Sequence, residues 1–160
     1  MKKLILPLIL LLSNPMYSQI SYDDVMSISS EKMFKKVMIE NGWEFDSREG
    51  ELLFYGYEIE RDSINGNKSS KWSVYGDNGE FVITFSRNSF LSSSVESEYD
   101  LIVKNIKKNC KYYDVISPKD SEGSIYDFVC YSCSESEYKG LIGFMVTEGK
   151  GVIRNFIIEE

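Results

Sequence analysis

The sequence repeats one order of elements, and this repetition limits the fold more than any other feature. Residues 30–41 carry apolar side chains at helical spacing, and three strand candidates follow them. A second helical segment lies within residues 92–110, and four strand candidates follow it. Helices and strands that are grouped in this way predict an α+β fold, with two helices packed on one side of an antiparallel sheet.

The strand candidates show the alternation that is typical of half-buried strands. Phe81, Ile83 and Phe85 point to one face of their strand. GDNG (76–79) is a strong signal for a tight hairpin turn, and TEGKG (147–151) is predicted to form the last turn. The strands are predicted at 51–61, 71–76, 80–87, 111–117, 124–132, 139–146 and 151–158.

The two tandem α-β-β-β(β) halves are predicted at about 22–88 and 92–160. A shift of 68 residues superimposes them and places Lys71 on Lys139. A duplication and two halves that merely share a layout explain this pattern equally well.

Residues 1–18 have the order of a secretory signal peptide. Lys2 and Lys3 precede an apolar run that is shorter than the roughly 20 residues needed to span a bilayer. Cleavage after Ser18 would leave Gln19 first, followed by a single domain at 19–160. We therefore expect a periplasmic or extracellular protein with no membrane span after the signal peptide is removed.

The acidic composition restricts the classes of partner. The chain has 18 Lys and Arg against 25 Asp and Glu, a net charge of −7, which becomes −9 when Lys2 and Lys3 leave with the signal peptide. This charge argues against a nucleic acid or an anionic membrane surface as partner. An unidentified protein or a small ligand remains as the expected partner.

Three cysteines allow one disulfide in an exported chain. If the strands at 111–117 and 124–132 form a hairpin, Cys110 lies close to both Cys130 and Cys133. A strand places Cys130 and Cys133 on opposite faces, so they should not bond each other easily. We favour Cys110–Cys133, with Cys110–Cys130 as a near-equal alternative and three free thiols as a third.

No catalytic, metal or cofactor site is predicted. The chain has no histidine, which removes the common general base, and three cysteines leave a zinc site one ligand short. The leading interpretation is an exported, non-enzymatic binding or interaction module. The alternatives are a small envelope enzyme or thiol-active protein using the Cys130–Cys133 pair, and an envelope assembly factor.

Asp62-Ser63-Ile64 matches the short acceptor for O-glycosylation in exported proteins of Bacteroidetes-type bacteria. Together with a leader that ends before glutamine, it makes the chain similar to small uncharacterised exported proteins of that group. The resemblance implies that any glycan on the chain is on Ser63, and it points to no particular activity. In topology alone, the layout also resembles tandem-repeat inhibitor folds of the β-lactamase-inhibitor-protein type.

The last strands are apolar on both faces. If Ile142, Phe144 and Val146 fill the core, Leu141 and Met145 point the other way. The second face must then be covered by the other half or by an arm at 19–29, or it forms a partner or dimer surface.

Overall fold

A computed structural model describes residues 19–86, 96–120 and 122–158. The predicted signal peptide lies outside these residues. Within the described part of the chain, no helix combines the length and apolarity that crossing a membrane requires. The elements are α1 (Tyr22–Met26), α2 (Glu31–Glu40), β1 (Trp43–Glu49), β2 (Leu52–Tyr57), β3 (Lys71–Gly76), β4 (Phe81–Ser86), α3 (Glu98–Asn109), β5 (Lys111–Ile116), β6 (Phe128–Ser132), β7 (Leu141–Thr147) and β8 (Lys150–Phe156).

The eight strands form one antiparallel sheet in the order β1-β2-β3-β4-β8-β7-β6-β5. The predicted α+β class with an antiparallel sheet is therefore confirmed. In each half a helix precedes four strands, and the last strands of the two halves, β4 and β8, pair at the centre of the sheet.

Local signals explain where the elements begin and end. The Ser30 hydroxyl accepts the Met33 N–H at the start of α2, and Gly42 follows the helix with a φ of 76°. At the turn between β7 and β8, Glu148 and Gly149 have φ of 46° and 75°. Two successive left-handed residues form the tight hairpin turn that the sequence predicts there.

The helices pack on one face of the sheet. Phe34 of α2 contacts the rings of Tyr55 and Tyr75, with centroids 5.7 and 5.1 Å away, and Tyr99 of α3 lies 6.1 Å from Phe85. The alternation predicted for β4 is correct, because its inward-facing side chains are 0–1% exposed; they are Phe81, Ile83 and Phe85.

Two elements depart from the sequence prediction. Residues 19–29, expected as an arm, include the helix α1, which begins with a capping box of Ser21 and Asp24. The strand β1 was not predicted at all. It lies at one edge of the sheet, and its register with β2 shifts between Phe45 and Ser47; β5, at the other edge, has a similar shift. Such bulges are common at sheet edges.

The superposition of the halves by about 68 residues does not keep the two sheet faces apart in β3 and β7. It places Ser73 on Leu141, but Ser73 faces α2 and its hydroxyl lies 3.1 Å from the Met38 sulfur. Ser73 pairs with Ile83 of β4, which pairs with Ile153 of β8. Ile153 in turn pairs with Phe144, so Phe144 lies on the same face as Ser73. Leu141, an odd number of residues from Phe144, therefore points to the opposite face.

Candidate functional site

In the part of the chain that the structure describes, the helices cover one of the two faces of the sheet. Residues of α1, α2 and α3 all belong to the larger buried cluster, together with Tyr55, Ile83 and Ile153 from the sheet. A smaller cluster occupies the opposite face, and its buried members all lie on strands. We call this opposite face of the sheet the open face.

In the first half, the open face carries a row of apolar side chains. Register aligns Phe54 with Val74 and Val74 with Val82 across β2, β3 and β4. These three side chains and the neighbouring Trp72 are half-buried, while Leu52 is 43% exposed. No described helix packs over them, so within the described residues the row is partly exposed apolar surface in the middle of a sheet.

A depression of about 480 Å³ lies at one end of this row. Leu52 pairs with Gly76, which brings the β1–β2 turn beside the β3–β4 turn. Glu51 of the first turn and Asp77 of the second therefore line the same depression. Its remaining lining includes apolar residues from the row and two charged side chains, namely Leu52, Val74, Val82, Glu80 and Arg154.

Arg154 crosses the open face from β8 toward this depression. Its Nη2 donates to the Glu80 carboxylate at 3.2 Å, and its guanidinium lies 5.0 Å from the centre of the Phe156 ring. Its Nε is buried without a hydrogen-bond partner among the described residues. The arginine charge is thus neutralised by Glu80, and one donor on the guanidinium is left unused.

A second depression, of about 520 Å³, lies where β2 ends. A Cβ on Gly56 would lie 2.7 Å from the Ile59 side chain and 3.1 Å from the Trp72 ring, so only glycine fits beneath them. The charged lining consists of Glu44, Glu58, Glu60 and Lys68. Arg61 lies 3.5 Å from Glu44, so three carboxylates face two cations and this depression is less acidic than the first.

In the second half, the open face is closed by its own residues. Leu141 points to this face, as predicted, but it is only 2% exposed within a cluster that includes Phe128 and Phe156. Leu141 is therefore not available to a partner in the folded chain. Met145 is half-buried at the edge of the cluster, so of the two predicted surface residues it alone is accessible.

The sequence predicted that either the other half or the segment 19–29 would pack over this face. The segment 19–29 packs on the helical face, and the residues that close the second half of the open face include Ile116 and Tyr126. Val146, expected in the core, is 51% exposed.

Cys110 and Cys133 form a disulfide with a Cα–Cα distance of 4.5 Å. Lys111 pairs with Ser132 at the start of the β5–β6 hairpin, so the two cysteines lie directly opposite each other one step beyond it. The alternative pairing of Cys110 with Cys130 does not occur. The disulfide joins the end of α3 to the end of β6.

Cys130 is the free cysteine. Its side chain points to the open face but is fully buried there by the smaller apolar cluster. Burial raises the pKa of its thiol to about 11, and the negative charge of Asp114 acts in the same direction. Because the thiolate is the reactive form of cysteine, this environment makes Cys130 inert near neutral pH. In this structure the CYSC segment thus holds one bonded cysteine and one buried thiol.

Ser63 is exposed in the connection between β2 and β3. The Asp62 carboxylate accepts hydrogen bonds from the backbone N–H groups of Ile64 and Asn65, at 2.8 and 3.2 Å. A further hydrogen bond from the Asn65 side chain contributes most to the lowered pKa of Asp62. The tripeptide is thus held in an accessible turn, and glycosylation of Ser63 stays a prediction.

Among the described residues, no three His, Cys, Asp or Glu side chains are grouped so that they could hold a metal ion. Sequence reasoning did not single out Phe54 or Arg154, since it could not tell which strand face the helices would leave uncovered. Comparisons of the chain with protein-family models, with curated proteins and with solved structures find no match.

Proposed function

We propose that this chain is an exported, non-enzymatic binding module whose open face contacts a partner protein. The observation that carries the proposal is the apolar row at Phe54, Val74 and Val82, which no described helix covers. A folded chain usually buries such a row when it has no partner, because accessible apolar surface in the middle of a sheet favours association.

The chemistry of the row suits protein recognition. Trp72 and Phe54 offer large aromatic surfaces, and tryptophan is enriched among the residues that dominate binding energy at interfaces. The strands on both sides hold these side chains in a fixed pattern, so little conformational entropy is lost when a partner docks.

The cysteines support a structural role over a thiol-active one. Cys133 is bonded to Cys110, and Cys130 is buried with a raised pKa. A disulfide also fits the oxidising compartment that the leader at residues 1–18 predicts. Export is tested by N-terminal sequencing of the chain from the envelope or medium, for which we expect Gln19 as the first residue.

Site-specific photo-crosslinking tests the binding function. We would replace Phe54 with p-benzoylphenylalanine in the native host, and in a matched control replace Ile39, which is 63% exposed on α2. A discrete adduct that forms only from position 54, and that Val82→Lys abolishes while the fold is kept, supports the proposal. Equal adducts from both positions, or none from position 54, would contradict it.

A further inference from the structure

The open face differs in charge from an ordinary apolar patch, because carboxylates surround one end of its row. Glu51, Asp77 and Glu80 line the depression of about 480 Å³, and among the described residues Arg154 is the one cation that lines it. Arg154 is paired with Glu80. Glu51 and Asp77 have no ion-pair partner among the described residues, so the rim of the depression carries net negative charge.

The floor of the same depression is apolar. Leu52, Val74 and Val82 contribute to it from three neighbouring strands, and Glu51 and Asp77 line it from the two turns. A side chain with a long aliphatic stem and a cationic end matches both parts, since the stem packs on the floor and the charge meets Glu51 and Asp77. Lysine and arginine are the residues that combine these properties.

We propose that the partner of the open face is a basic protein that inserts an arginine or lysine side chain into this depression. This inference rests on the binding function proposed above and adds the chemical class of the partner. The net charge of −7 on the whole chain favours the same choice, because it attracts a basic surface and steers its approach.

Other occupants fit the depression less well. A second copy of the chain would bring the same carboxylates against each other, and like charges across an interface are unfavourable. A bare metal ion would meet an apolar floor, and no three His, Cys, Asp or Glu side chains of the described residues are grouped to hold one. A nucleic acid or an anionic lipid surface is repelled by the acidic rim.

A matched set of peptides provides the probe. One short amphipathic peptide contains leucine and arginine, a second has citrulline, the neutral analogue of arginine, in its place, and a third has glutamate. Binding is followed by the fluorescence of Trp72, which is half-buried on the open face, whereas Trp43 is only 3% exposed. Trp72→Phe should remove the signal and identify its source.

We expect the arginine peptide to bind, more weakly as salt is added, and the citrulline and glutamate peptides not to bind. Glu51→Gln combined with Asp77→Asn should weaken binding by about tenfold, the size expected from losing two charge contacts. The control is Glu40→Gln combined with Glu122→Gln, which changes the net charge equally at exposed positions that do not line the depression. This control should bind almost as well as the unchanged protein.

Equal effects of the two double variants would show general attraction to an acidic protein and would overturn the inference. Equal binding of the arginine and citrulline peptides, lost in Val74→Ser, would overturn the basic partner while leaving the open face as a binding surface. Absence of binding by every peptide would also overturn the inference. A concentration-dependent dimer that Val82→Lys disrupts would instead identify a second copy as the occupant.

Discussion

Lys71 and Glu98 join the two halves of the chain through an ion pair of 2.6 Å. Lys71 lies on β3 and Glu98 in the first turn of α3, and their side chains are 21% and 7% exposed. The other oxygen of Glu98 accepts the backbone N–H of Ile20 at 2.5 Å. One carboxylate thus ties the segment before α1, the helix α3 and the sheet together.

We predict that Glu98→Gln destabilises the fold by about 3 kcal/mol, because it leaves the Lys71 ammonium partly buried without its counter-charge. Urea denaturation measures the change in free energy of unfolding. Glu96→Gln is the matched control, since the pair of Glu96 with Lys104 is well exposed and should contribute almost nothing. A loss in Glu98→Gln no larger than in the control would contradict the prediction.

The sequence predicts those elements whose local pattern agrees with their burial. Phe81, Ile83 and Phe85 alternate because β4 lies in the centre of the sheet, with helices on one side. The edge strand β1 shows no such alternation, since four of its seven residues are exposed and only Trp43 is buried. Its last four residues, 46–49, are all polar, so their sequence pattern does not distinguish them from a loop. The helix α1, with five residues, is too short for a helical period.

The candidate site was harder to predict than the fold. Trp72 and Val74 alternate with Ser73 and Tyr75 on β3, and either pair could have faced the helices. Hydrophobicity favours the first pair, yet Ser73 and Tyr75 are the buried ones. The choice depends on where α2 and α3 pack, which is a tertiary effect that local periodicity does not contain.

The disulfide closes a segment with a sequence separation of 23. We predict that Cys110→Ala combined with Cys133→Ala lowers the free energy of unfolding by about 3 kcal/mol, mainly because the unfolded chain regains conformational freedom. Denaturation of the double variant and of the unchanged protein under oxidising conditions measures this. If the loss persists when both proteins are reduced, the missing bond is not its cause.

The Cys130 thiol is expected to make the stability of the fold depend on pH in the alkaline range. Its ordinary pKa of 9.0 rises to about 11 in the fold. Between these values the unfolded chain has released the proton and the folded chain has kept it, so stability falls as pH rises. We expect a loss of about 2 kcal/mol over this window.

Cys130→Ala should flatten this part of the profile in urea titrations at successive pH values. The part that remains is expected from Tyr138 and from Tyr22, Tyr55 and Tyr75, because burial raises the pKa of each of these hydroxyls as well. In the native protein near neutral pH, the Cys130 thiol should also resist alkylation until the chain unfolds. Rapid labelling of the folded protein would favour the thiol-active alternative.

Ser63 is predicted to carry any O-linked glycan of this chain. Its turn is exposed, and Asp62 holds it through hydrogen bonds to the following backbone. Intact-mass measurement of protein from its native host should show a glycan that Ser63→Ala removes. Ser70→Ala, at another exposed serine of the same connection, should leave the mass unchanged apart from the lost oxygen.

Leu141 and Met145 point to the same face of β7, but we predict opposite responses to lysine. Leu141→Lys would place a charge in a cluster where the side chain is 2% exposed, so we expect a loss of about 4 kcal/mol or more. Met145 is half-buried at the edge of that cluster, where a lysine stem can lie along the apolar surface with its charge in water. Met145→Lys should therefore keep the fold, with a loss of about 1 kcal/mol.

Near-UV circular dichroism reports the packing of the aromatic side chains in both variants, and light scattering reports their size. A native spectrum for Leu141→Lys would show that this part of the open face is surface after all. If Met145→Lys keeps the fold and loses an oligomer that the unchanged protein forms, the contact surface extends beyond the first half of the open face to β7. If neither size nor spectrum changes in Met145→Lys, Met145 contributes neither to the fold nor to self-association.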